Sequence, residues 1–134
     1  MSDPNDLKVR DVMRTDVTLV DGRTDVLEAL KIMKRVQATC LVVNKRDEHD
    51  EFGMLLFSDI AKQVLAKDRS PERVNVYEIM AKPVIAVRPE MGIRYCARLF
   101  ERFGISHAPV IDGKDVIGIV SYYLLVLEGL SGQI

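Results

Sequence analysis

ISHAPVIDGKDVIGIVS, residues Ile105–Ser121, carries two apolar runs, Ala108–Ile111 and Val116–Val120, on either side of Asp112-Gly113-Lys114-Asp115. Valine, isoleucine and proline beside an Asp-Gly pair predict a β-hairpin, because glycine tolerates the positive φ of a tight turn. A helical pattern precedes the hairpin and another follows it. The same order occurs earlier, where Thr39–Val43 and Phe52–Leu56 flank the longer polar loop Asn44–Glu51.

The recurrence extends outward from both hairpins. Val9–Met13 (VRDVM) and Val76–Met80 (VYEIM) share a pattern. The same spacing relates Val17 to Val84, Val20 to Val87, Arg35 to Arg102 and Val43 to Val110; past the longer first loop it shortens by two and pairs Gly53 with Gly118. Apolar character kept in order along both halves indicates an internal duplication.

Each half predicts one series of elements. An extended segment, Val17–Val20 or Val84–Val87, leads through a turn, Asp21-Gly22 or Arg88-Pro89, into an amphipathic helix. In the first half Thr24 is the expected cap, with Asp25 and Glu28 in the first turn and Lys34-Arg35 in the last, as the helix dipole favours. Val26, Leu30 and Met33 form its apolar face. The second helix is expected over Glu90–Phe103, with Ile93, Ala97 and Phe100 inside and Gly104 as C-cap. The hairpins follow, and then helices at Asp59–Lys67 and Tyr123–Leu130. The repeats are therefore 9–67 and 76–130. Residues 68–75 link them, in a charged stretch that Ser70-Pro71 keeps out of helix. Residues 1–8 read as a loose tail.

Neither half can cover its apolar strands alone, so the two are expected to share one core about a pseudo-twofold axis. The longest apolar runs are too short to cross a bilayer, and the N-terminus has no apolar signal core. A net charge of −1 gives no general attraction to nucleic acid or acidic membranes. Cys40 and Cys96 occupy unrelated repeat positions, so buried thiols in a reducing cytoplasm are expected rather than a disulfide.

The paired VM heads (Val12-Met13, Ile79-Met80), GISHAPVID at Gly104–Asp112 and GIVS at Gly118–Ser121, with QATCLVVN at Gln37–Asn44 and GMLLFSDI at Gly53–Ile60, resemble a tandem pair of CBS domains. The resemblance covers about residues 9–130. It implies an α+β fold of two β-α-β-β-α repeats, a homodimer, and a regulatory module that senses AMP, ADP, ATP or S-adenosylmethionine and modulates a partner protein. It also implies a ligand set of Asp59, Ser58, Thr39 and Thr18 in the first repeat and Ser121, His107, Pro109 and Ile85 in the second.

The family motif G-x-x-T/S-x-x-D joins a hydroxyl for phosphate to a carboxylate for the ribose hydroxyls. This chain divides it. Gly53…Leu56…Asp59 keeps the carboxylate, and Gly118…Ser121…Leu124 keeps the hydroxyl. Binding of modest affinity, better in the Asp59 cleft, is the expectation. Other readings stand beside these: Asp59 as a helix-start charge with Ser58 as cap, Ser121 as a cap, His107 as a strand-end histidine, Thr39 as an edge-strand hydroxyl.

Arg94, Arg98 and Arg102 recur at i, i+4, i+8, facing either an acidic partner or solvent. His49 lies in a mixed-charge loop and is expected to be solvated. The last helix is unusually apolar, as core or as a subunit interface. No motif arranges a nucleophile, metal ligands or a phosphate loop, so the chain reads as a non-enzyme. The contrasting function is a ligand-free scaffold or oligomerisation subunit that has lost nucleotide binding.

Overall fold

The computed structural model of the protein describes residues 6–82 and 84–131. In chain order the elements are α1 (Val9–Val12), β1 (Leu19–Val20), α2 (Val26–Val36), β2 (Cys40–Val43), β3 (Gly53–Leu56), α3 (Phe57–Ile60), α4 (Val76–Ile79), α5 (Ile93–Phe103), β4 (His107–Asp112), β5 (Asp115–Ser121) and α6 (Tyr122–Leu130). The backbone of α3 continues through a π-helical turn, Ala61–Leu65, and a 3₁₀ turn at Pro71–Arg73 precedes α4. Two compact units result. One is contiguous, Thr18–Val84; the other is composite, joining the N-terminal segment through Val17 to the chain from Ile85 onward.

In the contiguous unit β1 pairs parallel with β2, and β2 antiparallel with β3. Val26, Ala29 and Met33 of α2 are buried against Leu41, Val43 and Leu55 of the sheet. Spacings of three and four residues put these side chains on one helix face. The cap is Asp25 rather than Thr24: the Asp25 carboxylate accepts the Glu28 N–H at 2.8 Å, while the Thr24 carbonyl accepts the Val76 N–H. Backbone pairing of Thr24 with the start of α4 moves the helix entry one residue along. At the other end Gln37 takes the left-handed conformation, φ 55°.

In the composite unit β4 and β5 form the expected hairpin, closed by Gly113-Lys114 with Gly113 at φ 62°. Val87 adds a parallel bridge to Val110, the paired point within the expected Val84–Val87 strand. The helix expected from Glu90 begins at Ile93, because Arg88–Met91 closes a turn first through the Met91 N–H and the Arg88 carbonyl. Ile93, Cys96 and Phe100 are buried with Ala108, Val110 and Val120, and Gly104 ends α5 at φ 65°. Burial pushes the Cys96 thiol up to about 11. Neither cysteine forms a disulfide.

The head segments pack crosswise to the sequence repeats. Val76 and Ile79 of α4 lie in the core of the contiguous unit, where Met80 covers Gly53 and Ala81 bridges Met54. Val9 and Val12 of α1 lie in the composite core, where Met13 covers Gly118 and Arg14 bridges Ile119. Each VM head thus closes on the strand that carries the other repeat's glycine. Of the expected tail, residues 1–5 lie outside the described residues. Leu7 and Lys8 are engaged: Leu7 packs on the composite core and Lys8 bridges Gly92.

The polar loop 44–51 is tied down by Asp50. Its carboxylate meets Lys82 Nζ at 2.7 Å and Arg46 Nε at 3.1 Å, and these contacts hold it far below the usual carboxylate range. His49 is exposed beside Glu48. Among the described residues no cluster of side chains is arranged to hold a metal ion, and no helix is long and apolar enough to cross a membrane.

Candidate functional site

Register brings the first set of candidates to one end of a sheet. Leu19 pairs with Val42 in parallel, which places Thr18 at the leading end of β1, where its carbonyl accepts the Val42 N–H at 3.0 Å. Thr39 immediately precedes Cys40, and Cys40 pairs with Leu56, the last residue of β3. Ser58 and Asp59 follow at once in α3. Thr18, Thr39, Ser58 and Asp59 therefore converge where two strands begin and a third turns into a helix. Thr39 and Ser58 are exposed; Thr18 and Asp59 are half-buried.

Leu56, not Ser58, occupies the N-cap position of this helix, and Ser58 lies in its first turn. Strand β3 runs straight into the helix, leaving no loop in which Ser58 could cap. Asp59 Oδ2 accepts the Leu56 N–H at 2.9 Å. That is one arm of a capping box, in which the third helical residue reaches back to the N-cap backbone. The other arm needs a hydroxyl at position 56, which leucine lacks.

The second set converges in the same way in the composite unit. His107 opens β4 and pairs with Ser121 at the end of β5. Pro109 pairs with Ile119, and its carbonyl accepts the Val87 N–H at 3.0 Å; Ile85 lies two residues upstream of Val87. Ser121 is the N-cap of α6 and its Oγ accepts the Leu124 N–H at 3.3 Å. Here the hydroxyl arm is present and the carboxylate arm absent. The divided family motif is thus a divided capping box, one arm in each unit.

Ser106 belongs to this cluster although the sequence did not single it out as a ligand position. Its Oγ lies 2.8 Å from His107 Nδ1, and its carbonyl accepts the Tyr122 N–H at 3.2 Å. The signal was the repeat register, in which Ser106 is the counterpart of Thr39. Burial lowers the pKa of His107. A neutral imidazole with one nitrogen held by Ser106 offers the other for hydrogen bonding, rather than a fixed positive charge.

The geometry defines a duplicated α+β module with an equivalent polar strand end in each unit. A profile of the CBS domain matches residues 9–66 and 76–127. The chain belongs to the CBS-domain family, as a tandem pair. The homoserine O-acetyltransferase of Methanosalsum zhilinae is 37% identical over 117 residues, covering 87% of this chain but 23% of that enzyme. The chain therefore spans under a quarter of that relative's length. The CBS domain-containing protein YhcV of Bacillus subtilis is 26% identical over 125 residues, 93% of this chain and 87% of YhcV. Among solved structures, the hexameric CBS-CP12 protein from bloom-forming cyanobacteria superposes with a TM-score of 0.91 at 37% identity, covering 95% of this chain and 73% of that one. The CBS domain pair of protein MJ0100, in complex with 5′-methylthioadenosine and S-adenosyl-L-methionine, superposes at 0.79 with 25% identity, covering 96% and 98%.

Proposed function

We propose that this CBS pair is a regulatory, non-catalytic module that binds an adenosyl ligand at the Asp59 strand end and changes how it engages a partner protein. The observation that carries the proposal is the division of labour within the Asp59 carboxylate. Oδ2 is committed to the Leu56 N–H, and among the described residues Oδ1 has no hydrogen-bond partner. The fixed oxygen orients the carboxylate; the other is available to the hydroxyls of a ribose. Each such charge-assisted bond contributes roughly 1.5–3 kcal/mol. The adenosyl ligands of the MJ0100 pair support the ligand class, which for this chain includes AMP, ADP, ATP and S-adenosylmethionine.

The Ser121 strand end has a hydroxyl already used as a cap and Leu124 in the carboxylate position. It is the weaker site. A thermal-shift screen with the four ligands identifies the effector, because a ligand selective for the folded state raises apparent stability. Titration calorimetry then places it: Asp59→Ala weakens binding tenfold or more, and Ser121→Ala changes it little. The reverse pattern would exchange the two sites. No shift with any adenosyl ligand would leave the scaffold reading.

That second reading rests on a specific observation. Tyr123, Val126, Leu127 and Leu130 of α6 are all exposed, Tyr123 at 69% and Val126 at 52%. An apolar row of this kind suits a self-complementary contact between copies, here a homodimer. Oligomerisation is compatible with ligand sensing, and the hexameric relative supports it. Light scattering at tens of micromolar tests it; a monomer refutes it. The cellular setting that fits two thiols outside any disulfide is the cytoplasm.

A further inference from the structure

The outer face of α5 carries residues that neither candidate site uses. Arg94, Arg98 and Arg102 lie on it at i, i+4 and i+8, opposite the buried Ile93, Cys96 and Phe100, and all three are exposed. Among the described residues none of the three reaches a carboxylate within ion-pair distance, whereas Arg14, Arg23, Arg46, Arg69 and Arg88 each do. Arg98 stacks instead over the ring of Tyr95, 5.5 Å from its centroid. Tyr95 is 66% exposed and Phe103, at the end of the helix, 54%. Glu101 is the one acidic residue of α5.

We infer that this face docks a helical acidic segment of a partner protein, with carboxylates at i, i+4 and i+8. Three lines of reasoning converge on that occupant. Free guanidinium forks bind carboxylates bidentately, and three of them in a row within a chain of net charge −1 make a local field of opposite sign. The row spans about 12 Å, from eight helical steps of about 1.5 Å, and carboxylates at the same helical spacing repeat at the same interval. Exposed tyrosine and arginine are the residue types that dominate binding energy at protein interfaces, and the Arg98–Tyr95 stack holds one fork in place beforehand. A duplex nucleic acid would call for a longer run of cations along its phosphates, and α5 adds no further lysine or arginine to the three.

The test uses the full chain and a fluorescein-labelled, alanine-rich helical peptide with glutamate at i, i+4 and i+8. The same peptide with glutamine at those positions, a duplex DNA oligonucleotide and anionic lipid vesicles serve as comparison probes. Anisotropy at low salt is expected to show saturable binding of the glutamate peptide that weakens as salt is raised. Arg94→Glu/Arg98→Glu/Arg102→Glu should weaken it at least tenfold. Arg98→Lys, which keeps the charge and loses the fork and the stack, should weaken it several-fold. Circular dichroism verifies that these surface variants remain folded. Equal binding of the glutamine peptide, unchanged binding by the triple variant, or tighter binding of DNA or vesicles than of the glutamate peptide overturns the inference.

Discussion

Gly118→Ala is the substitution that most directly probes how the N-terminal head closes on the composite unit. A Cβ at this position would lie 2.6 Å from Met13 Sδ and 2.8 Å from the Arg14 carbonyl oxygen. An ordinary carbon–oxygen contact is about 3.3–3.6 Å. Strand and head must therefore part by more than half an ångström, or the strand must twist. Two hydrogen bonds cross that gap, Arg14 N–H to the Ile119 carbonyl and Ile119 N–H to the Arg14 carbonyl, both 2.9 Å. Overpacking costs about 1–3 kcal/mol, and each weakened hydrogen bond up to about 1 kcal/mol more. The expected loss is about 2–4 kcal/mol, read from the urea midpoint at constant slope.

Gly53→Ala provides the internal comparison. Its Cβ would also meet a methionine sulfur at 2.6 Å, that of Met80, but the nearest backbone oxygen, of Ala81, is 3.2 Å away. A flexible thioether can move aside more cheaply than a paired carbonyl. The expected loss is about 1–2 kcal/mol, and shortening Met80 should relieve part of it in a double-mutant cycle. Shortening Met13 should relieve little of the Gly118→Ala cost. A loss below about 0.5 kcal/mol for Gly118→Ala, or equal relief in both cycles, would refute the crosswise packing of the heads.

Three further outcomes follow from the same contacts. A fragment spanning residues 18–84 should unfold cooperatively, because it contains Val76, Ile79 and the rest of its core, whereas 1–72 loses α4 and should not; far-ultraviolet circular dichroism on heating decides. Asp25→Ala should cost about 1 kcal/mol through the lost bond to the Glu28 N–H, and Thr24→Ala much less, in the same urea assay. Burial lowers the folded-state pKa of His107 below its ordinary 6.5, so below that pH the unfolded chain takes up the proton more readily and stability falls. His107→Gln should flatten the stability profile between about pH 7 and pH 5; an unchanged slope there would exclude His107 as its source.

The local elements of this chain were legible in its residues. Short Val- and Ile-rich runs on either side of Asp-Gly marked the hairpin, because a glycine able to reach φ 62° suits a tight turn between strands. The amphipathic spacing of α2 and α5 and the left-handed Gly104 were equally local, and the duplication was legible as one pattern recurring along both halves. Helix starts were less so. Thr24 and Asp25 are both competent caps, and the choice was made by pairing of Thr24 with Val76, fifty-two residues away.

Long-range closure belonged to the tertiary structure alone. Nothing in VRDVM or VYEIM states which glycine each will cover, since either head has the same apolar residues to bury. Chain geometry and backbone pairing at Arg14 and Ala81 settle it. The candidate sites divide along the same line. The resemblance to the family motif marked Asp59 and Ser121 as half-motifs. Only the registers of β1 on β2, β2 on β3 and β4 on β5 placed Thr18, Thr39 and Asp59 at one strand end, and His107 and Ser121 at another. The physical reason is range: a side chain's preference for turn, cap or face is felt within a few residues, whereas strand register is set by burial summed over the whole unit.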